Sequence, residues 1–221
     1  MDKMNDFIQI AIDGPAAAGK STIAKLMAKR LNFVYIDTGA MYRAITWAVL
    51  QAGLDVRDEP AVGKMLAQVN IDLKPDGRVF VNQQDVTDAI RENLVTRNVS
   101  LIASYSSVRD DLKHRQVLLS NVANVIMDGR DIGTNVLPNA KFKFFMIADS
   151  LVRAKRRYSE NLQRGIHTSI SELEQEIIKR DKMDESRTHA PLKQAEDAIL
   201  IDTSQLTIHE VVDKMISIVL K

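Results

Sequence analysis

The feature that most constrains the fold of this chain is a glycine-rich stretch at residues 14–21, GPAAAGKS. It has the pattern G-x-x-x-x-G-K-[S/T], whose glycines allow backbone angles that a side chain would oppose, so that N–H groups can surround phosphate oxygens. An apolar run at residues 7–12 precedes it, and apolar residues follow at helical spacing: Ile23, Leu26, Met27 and Leu31. This context predicts a buried strand, a phosphate-binding loop and a helix. The alternative is a chance glycine-rich turn before a helix.

Four further apolar runs have the length of short strands, at residues 33–36, 125–127, 142–147 and 198–201. They are apolar on both faces, which is typical of parallel strands covered by helices. A helix is predicted at residues 40–51, and two more helices open with the capping-box pairs Ser169 with Glu172 and Thr207 with Glu210. The alternation predicts an α/β fold, a doubly wound five-stranded parallel sheet of the phosphate-loop NTPase type.

One region breaks this alternation. Residues 69–74 and 78–82 alternate in polarity around the turn Pro75-Asp76-Gly77, and a helical stretch follows from about Asp88. The pattern predicts an antiparallel hairpin that is exposed on one face. We therefore expect residues 63–113 to form an inserted α+β subdomain, and residues 1–62 and 114–221 to form the core.

Composition excludes several classes of protein. The chain has 221 residues, 30 Lys and Arg against 29 Asp and Glu, and no cysteine. The charge balance argues against general nucleic-acid binding, and the absence of cysteine excludes disulfides and thiolate metal sites. The longest uncharged stretch, residues 116–127, is too short for a membrane span, and residues 1–6 lack a signal-peptide pattern. We expect a cytoplasmic monomer without nucleic-acid or membrane partners.

The phosphate loop itself predicts a nucleotide site. In such loops the lysine reaches the β- and γ-phosphates and the hydroxyl binds Mg²⁺, roles that fall here to Lys20 and Ser21. The loop alone does not distinguish ATPases, GTPases and kinases, but the Asn-Lys-x-Asp signature of GTPases is absent from the sequence. The histidines show no metal-ligand spacing: His114, His167, His189 and His209.

Two segments that follow predicted strands carry candidate ligands for a second anion. Thr38 and Arg43 follow the second strand, and Asp128, Arg130 and Asp131 follow the third. Ligands of doubly wound sheets bind at the carboxyl ends of the strands. We therefore expect Arg43 to hold an acceptor phosphate and Arg130 to point into the cleft, with Asp128 as a carboxylate near Mg²⁺ that does not bind it directly. The alternatives are a capped helix start with a solvated arginine and an acidic turn with a surface ion pair.

A further pattern is the spacing i, i+4, i+7 of Arg180, Asp184 and Arg187. If the segment is helical, the three side chains share one face, which would suit the phosphate and ribose hydroxyls of a nucleotide. The alternative is an exposed ladder of ion pairs.

Residues 153–168 carry a local excess of positive charge that closes at Gly165: Arg153, Lys155, Arg156, Arg157 and Arg164. This excess predicts a mobile basic lid that folds over transferring phosphates, with Arg153 and Arg157 as its arginines. The alternative is a solvated helix.

Five blocks in this order, GPAAAGKST, DTGAMYR, DGRDIGT, RDKMDESR and THAPL, resemble the cytidylate kinases of bacterial type. The resemblance runs nearly from end to end and includes the hairpin-bearing insertion, which in that family enlarges the domain that binds the nucleoside monophosphate. It implies transfer of the γ-phosphoryl group of ATP to CMP or dCMP with Mg²⁺.

The resemblance also implies roles for particular residues. The ATP-binding set would be Gly14, Pro15, Ala16, Ala17, Ala18, Gly19, Lys20, Ser21 and Thr22. The acceptor phosphate would be held by Arg43, Arg130 and Arg187, and the sugar by Arg180 and Asp184. The cytosine would be read by Ser104, Arg109 and Asp131, with Thr38 nearby in place of the family's usual serine. The catalytic set would be Lys20, Asp128, Arg130 and Arg187, with Ser21 on the metal.

Two other functions would also use a phosphate loop. One is a phosphate-loop kinase for another acceptor, such as UMP, AMP or a small hydroxyl compound, against which the insertion and Asp131 argue. The other is a nucleotide-dependent switch that retains the loop. A switch has no need of a second arginine cluster directed at another phosphate.

Overall fold

The structure, a computed structural model, describes residues 7–163 and 165–221; residues 1–6 and Arg164, named above, lie outside the described residues. Its strands are β1 (Gln9–Asp13), β2 (Val34–Asp37), β3 (Ile71–Leu73), β4 (Val79–Val81), β5 (Gln84–Asp85), β6 (Val125–Asp128), β7 (Phe142–Ile147) and β8 (Ile199–Asp202). Its α-helices are α1 (Lys20–Leu31), α2 (Thr38–Gln51), α3 (Glu59–Met65), α4 (Asn93–Ile102), α5 (Ser106–Ser120), α6 (Ser150–Gln163), α7 (Ile170–Glu185) and α8 (Ile208–Val219). None of these helices is both long and apolar enough to span a membrane.

The predicted five-stranded sheet is confirmed, with the order β2-β6-β1-β7-β8. β1 pairs in parallel with β6 and β7, so that Ile12 lies opposite both Asp128 and Phe144, and β7 pairs in parallel with β8. Because β1 is central, the loop that follows it leaves from the middle of the sheet's carboxyl edge, where ligands of such sheets bind.

Burial on both faces is confirmed for the central strands and wrong for the edge strands. Ile10 and Met127, in β1 and β6, are fully buried. Val34 in β2 and Ile199 and Leu200 in β8 are instead 40–49% exposed. An edge strand has a neighbour on one side only, so part of its surface stays in water.

Most predicted boundaries shift by one or two residues. The first strand begins at Gln9 rather than at residue 7 and includes Asp13. α2 begins at Thr38 because the Asp37 side chain accepts a hydrogen bond from the Ala40 N–H at 2.9 Å and caps the helix two residues earlier than predicted. Both capping boxes are confirmed, and they open α7 and α8.

The predicted hairpin has a third strand. β3 and β4 pair antiparallel, with Ile71 opposite Val81, and β5 then pairs with β4. Asn82 and Gln83 make the second turn with φ angles of +47° and +71°. This turn was missed because the pair lacks the glycine that usually marks such turns. The helix expected from about Asp88 begins as a 3₁₀ turn, Ala89–Arg91, and continues as α4.

The chain divides into two compact units. The first contains Ile8–Phe33 and Asn124–Lys221, and therefore the phosphate loop; the second contains Phe7 and Val34–Ala123. The core of the second unit forms from α2, α4, α5 and the small sheet, and Trp47 packs against it as a partly buried side chain. The predicted insertion at residues 63–113 falls within the second unit, and its boundaries stay a prediction.

Candidate active site

Residues 14–19 form the loop between β1 and α1, and Lys20 and Ser21 open α1, as the motif predicts. Gly14 has a φ of +145°, and a Cβ there would lie 2.1 Å from the carbonyl oxygen of Met146 on β7. Gly19 has a φ of +88° and directly precedes Lys20, the first residue of α1. Glycine is therefore required at both positions, once by a neighbouring strand and once by the backbone angle. The positive end of α1 lies at the loop.

The Lys20 side chain is buried against its own loop. Its Nζ donates a hydrogen bond to the Pro15 carbonyl oxygen at 2.7 Å. Burial, followed by the positive charge of Arg130, lowers the pKa of the Lys20 ammonium well below its ordinary value. An anion bound in the loop would favour the charged form, because an opposite charge raises the pKa of an ammonium.

Ser21 and Asp128 are joined by a hydrogen bond. The Ser21 Oγ donates to Asp128 Oδ2 at 2.7 Å, and the carboxylate is buried at the end of β6. A hydroxyl that donates its proton in this way keeps its lone pairs for a cation, and hydroxyl, phosphate and water oxygens suit Mg²⁺. Across residues 7–163 and 165–221, no group of three or more acidic or histidine side chains is placed to hold a metal ion.

Asp13 holds the loop that follows β6, a role that sequence reasoning missed. Its Oδ1 accepts a hydrogen bond from the Ile132 N–H at 2.8 Å, and its Oδ2 accepts one from the Gly133 N–H at 2.7 Å. Burial raises the pKa of Asp13 to about 6. The two hydrogen bonds lower this pKa, and the nearby charge of Asp131 raises it. The only sequence signal was an aspartate between the apolar strand and Gly14. Asp13 thus positions the segment that carries Arg130 and Asp131.

A buried carboxylate joins two of the predicted phosphate arginines. Asp184 Oδ2 accepts a hydrogen bond from Arg130 Nε at 2.9 Å, and Asp184 Oδ1 accepts one from Arg187 Nη2. Burial alone would raise the pKa of Asp184, but the charges of Arg130, Arg187 and Arg180 outweigh it and lower the pKa below its ordinary value. An exposed ion-pair ladder is excluded, because Asp184 is 1% exposed.

The helical face predicted for these residues is confirmed only in part. Arg180 and Asp184 lie on α7, whereas Arg187 follows the end of that helix. Arg187 reaches Asp184 from the chain that turns away after Glu185.

Asp131 is also buried, beside the segment that Asp13 holds. Its Oδ2 accepts a hydrogen bond from Asn135 Nδ2 at 2.9 Å. Asn135 lies in a short π-helical turn, Ile132–Val136. The carboxylate is thus bonded to the next turn of its own loop.

The arginines of α6 bond to neighbouring residues. Arg153 is buried, and its Nη1 donates to the Ala16 carbonyl oxygen at 3.0 Å and to Asp181 at 2.5 Å. Arg156 Nη2 donates to the Thr203 carbonyl oxygen at 2.7 Å. Arg157 lies 3.6 Å from Glu160. A solvated helix is therefore excluded for Arg153, whereas movement of the segment as a lid stays a prediction.

Thr38 and Arg43 belong to the second unit. Thr38 is buried as the first residue of α2. Arg43 Nη1 donates to Thr96 Oγ1 at 2.9 Å and to the Ile90 carbonyl oxygen at 3.3 Å. Sequence reasoning missed Thr96, which lies 53 residues from Arg43 along the chain and carries no local signal.

Ser104 and Arg109 lie at opposite extremes of exposure in the same unit. Arg109 is 2% exposed, donates through Nη1 to the Ala103 carbonyl oxygen at 3.0 Å, and lies 5.6 Å from the centre of the Tyr42 ring. Ser104 is exposed, and its hydroxyl donates to the Leu101 carbonyl oxygen at 2.6 Å. The guanidinium of Arg109 is therefore oriented by its surroundings, and the Ser104 hydroxyl is accessible.

Comparison with known proteins gives consistent matches along nearly the whole chain. The family model for cytidylate kinase matches residues 10–221. The chain is 52% identical over 215 residues to a cytidylate kinase of Geobacillus thermodenitrificans, with 96% of each chain covered. It is also 52% identical over 219 residues to a cytidylate kinase of Anoxybacillus flavithermus, covering 98% of this chain and 97% of that one.

A solved structure shares the fold at low identity. Shikimate kinase from Bacteroides thetaiotaomicron superposes with a TM-score of 0.50 at 15% identity, covering 97% of this chain and 99% of that one. At this identity the likeness concerns the fold alone, and it agrees with the predicted phosphate-loop type of sheet.

Proposed function

The chain belongs to the cytidylate kinase family, and we propose that the residues described above carry out transfer of the γ-phosphoryl group of ATP to CMP or dCMP. The products are ADP and CDP or dCDP. One observation carries the proposal: Arg130 and Arg187 are both bound to the buried Asp184 in the unit that contains the phosphate loop. Two oriented guanidiniums suit a second phosphate, which a switch with a single nucleotide does not need.

ATP is assigned to residues 14–22. The loop N–H groups and the N-terminus of α1 would hold the phosphates, and Lys20 would reach the β- and γ-phosphates. The Lys20 Nζ lies 2.7 Å from the Pro15 carbonyl oxygen, and it would exchange this hydrogen bond for one to a phosphate oxygen. The lowered pKa of Lys20 supports this role, since the group gains most from a negatively charged partner.

Mg²⁺ is assigned to the Ser21 hydroxyl together with phosphate and water oxygens. The residues fit this ion. The Ser21 hydroxyl donates its hydrogen bond to the buried Asp128, and its lone pairs therefore stay available to a cation. When bound, Mg²⁺ neutralises charge on the phosphate oxygens. Asp128 then acts through Ser21 and through water rather than as a direct ligand.

The acceptor nucleotide is assigned to the residues that the family resemblance implies. Arg130 and Arg187 would hold its phosphate with Arg43, and Arg180 and Asp184 would contact the sugar. Ser104, Arg109 and Asp131 would read the cytosine, with Thr38 nearby. The support is preorganisation, because these arginines are already bonded to neighbouring groups and so lose little conformational freedom when they bind a phosphate.

The reaction requires no covalent intermediate on the protein. An oxygen of the acceptor phosphate attacks the γ-phosphorus in line, and ADP leaves. This oxygen is largely ionised at neutral pH, since the second pKa of a phosphate monoester is about 6, so no strong general base is needed. Lys20, Arg130 and Arg187 would stabilise the charge on the transferring oxygens, and positioning of the two nucleotides supplies the rest.

Two larger features complete the proposal. Residues 63–113 would serve as the inserted subdomain for the nucleoside monophosphate, and residues 153–168 as a lid that closes on the phosphates with Arg157. Hydrogen exchange of the lid amides, measured with and without both nucleotides, tests the closure; equal protection would remove the lid from the mechanism. We also propose that the protein acts as a monomer and that it acts in the cytoplasm, a reducing compartment that suits a chain without cysteine.

A coupled assay of ADP release with CMP, dCMP, UMP and AMP tests the function. CMP and dCMP should be turned over best, and Lys20→Ala should lose most turnover while remaining folded. Lys29→Ala, which removes an exposed lysine from the same helix, is the matched control. Tight ATP binding without turnover of any monophosphate would favour a switch, and a preference for UMP or AMP would overturn the assigned acceptor.

A further inference from the structure

We propose that Arg153 and Asp181 are positioning residues that hold the phosphate loop in its phosphate-binding conformation through hydrogen bonds to the backbone of Ala16. The inference rests on the proposed function only in taking ATP as the ligand of the loop. It gives Arg153 a different task from the lid role expected above, since the side chain would act through the loop rather than on the phosphates.

The contacts occupy both polar groups of one loop residue. Asp181 Oδ1 accepts a hydrogen bond from the Ala16 N–H at 3.1 Å, and Arg153 Nη1 donates one to the Ala16 carbonyl oxygen at 3.0 Å. Arg153 lies on α6 and Asp181 on α7. The orientation of the backbone at Ala16 is therefore set by side chains from two helices that lie far from the loop in sequence.

Further hydrogen bonds fix the position of the Arg153 side chain. Arg153 Nη1 donates to Asp181 Oδ2 at 2.5 Å, and Arg153 Nε donates to the Ala148 carbonyl oxygen at 2.9 Å, just beyond β7. Both residues are 7% exposed, so water competes little for these bonds. The neighbouring Ala17 packs against Ala154 and the other buried residues shared by α6 and α7.

The loop needs such external contacts because its backbone is unusual. Ala17 has a φ of +58°, in the left-handed region that a residue with a Cβ disfavours. Gly14 and Gly19 flank it with positive φ angles of their own. A conformation of this kind persists only where its surroundings specify it, and Ala16 is held directly beside Ala17.

Charge adds a second requirement. Asp181 places a buried carboxylate at a loop that binds a polyanion, and alone it would repel the phosphates. Arg153 neutralises this charge across a 2.5 Å contact. Removal of the arginine therefore leaves an uncompensated buried charge, whereas removal of both charges does not. If Arg153 only positions the loop, loss of both charges should therefore harm ATP binding less than loss of the arginine alone. If Arg153 contacts phosphate, loss of both charges should harm ATP binding as much as loss of the arginine alone.

The test compares Arg153→Met, Asp181→Asn and the double variant, with ATP binding measured by calorimetry without acceptor. Arg153→Met should weaken ATP binding by roughly 10- to 100-fold, the scale that misplacement of a site residue can cost. Asp181→Asn should lose less, because asparagine keeps an oxygen for the Ala16 N–H. The double variant should bind ATP more tightly than Arg153→Met does. Lys179→Met, which removes an exposed positive charge from α7, the helix that carries Asp181, is the control.

Two outcomes overturn the proposal. Unchanged ATP binding in Arg153→Met would show that the hydrogen bonds of Arg153 to the loop are dispensable. Equal loss of ATP affinity in Arg153→Met and in the double variant would show that Arg153 contacts the phosphates directly. If Arg153→Met does not fold, Arg153→Lys tests the hydrogen bonds alone, because lysine keeps the charge beside Asp181 but cannot reach Ala16, Ala148 and Asp181 together. ATP binding should then still weaken, and unchanged ATP binding in Arg153→Lys overturns the proposal. The KM for CMP should stay near the wild-type value in every folded variant. A wild type that binds ATP without phosphorylating CMP would remove the proposed function and leave this ranking of ATP affinities as a separate result.

Discussion

The Ser21 hydroxyl donates its proton to the carboxylate of Asp128, 107 residues away in sequence, at 2.7 Å. The bond joins the second residue of α1 to the last residue of β6. A serine in a phosphate loop is thereby given one orientation before any ligand binds, with its lone pairs available to a cation.

The first prediction concerns this bond. Asp128→Ala should raise the Mg²⁺ concentration needed for half-maximal turnover by about tenfold or more, because a hydrogen bond to a charged group contributes ~1.5–3 kcal/mol. Asp128→Asn keeps an oxygen acceptor and should fall between wild type and alanine. Turnover titrated with Mg²⁺ at constant ATP is the measurement. The same Mg²⁺ dependence in all three proteins would show that Asp128 does not orient the metal ligand.

The second prediction concerns the acceptor arginines. Arg43→Ala, Arg130→Ala and Arg187→Ala should each lower kcat/KM for CMP by about tenfold or more, since each removes a charge-assisted contact to phosphate. ATP affinity should change far less. Arg30→Ala, which breaks an exposed pair with Asp213, is the control. Unchanged CMP kinetics in all three variants would show that these arginines only make hydrogen bonds within the protein.

The third prediction concerns base choice. An ionised aspartate only accepts hydrogen bonds, so Asp131 would pair with the amino group of cytosine and repel the carbonyl oxygen of uracil. Asp131→Ala should lower CMP turnover and narrow the CMP-over-UMP preference by roughly 1–3 kcal/mol. Asn135→Ala, which removes the partner of Asp131, should leave more of that preference. An equal loss for CMP and UMP in Asp131→Ala would mean that the carboxylate only holds its loop.

The fourth prediction concerns Asp13 and pH. Its pKa is raised from 3.8 to about 6, mainly by burial, so the folded protein retains a proton that the unfolded chain loses within this range. Ionisation of Asp13 therefore lowers the free energy of unfolding as the pH rises from about 4 to about 6, by about 3 kcal/mol in total. Asp13→Asn lacks this titration. The stability advantage of wild type over the variant should shrink by that amount across the window.

Urea unfolding of both proteins at several pH values measures this difference, and other titrating groups cancel in the comparison. Asparagine keeps one of the two acceptors for the Ile132 and Gly133 N–H groups, so the variant loses one hydrogen bond at every pH. A difference in stability that does not vary with pH would contradict the raised pKa.

Much of this molecule is local in origin and was predictable from sequence. The glycines of residues 14–21 impose their turn, period-3.6 apolar residues specify α1, and serine or threonine three residues before glutamate opens α7 and α8. Apolar runs of strand length specified the parallel sheet. Family resemblance then supplied residue roles that spacing alone left open, such as base reading by Asp131.

Tertiary structure alone decided which of these residues meet. Asp13 reaches the Ile132 N–H across 119 positions, Arg153 reaches Ala16 across 137, and Asp181 reaches Ala16 across 165. Sequence patterns report turn geometry and which face of an element is apolar, over a few residues at a time. They do not specify the partner of a buried carboxylate, because that partner depends on which loops the parallel strands bring to the same edge of the sheet. The local excess of positive charge predicted Arg153 to be a lid arginine. Only the packing of α6 and α7 beside the loop after β1 made it a buried contact of the phosphate loop.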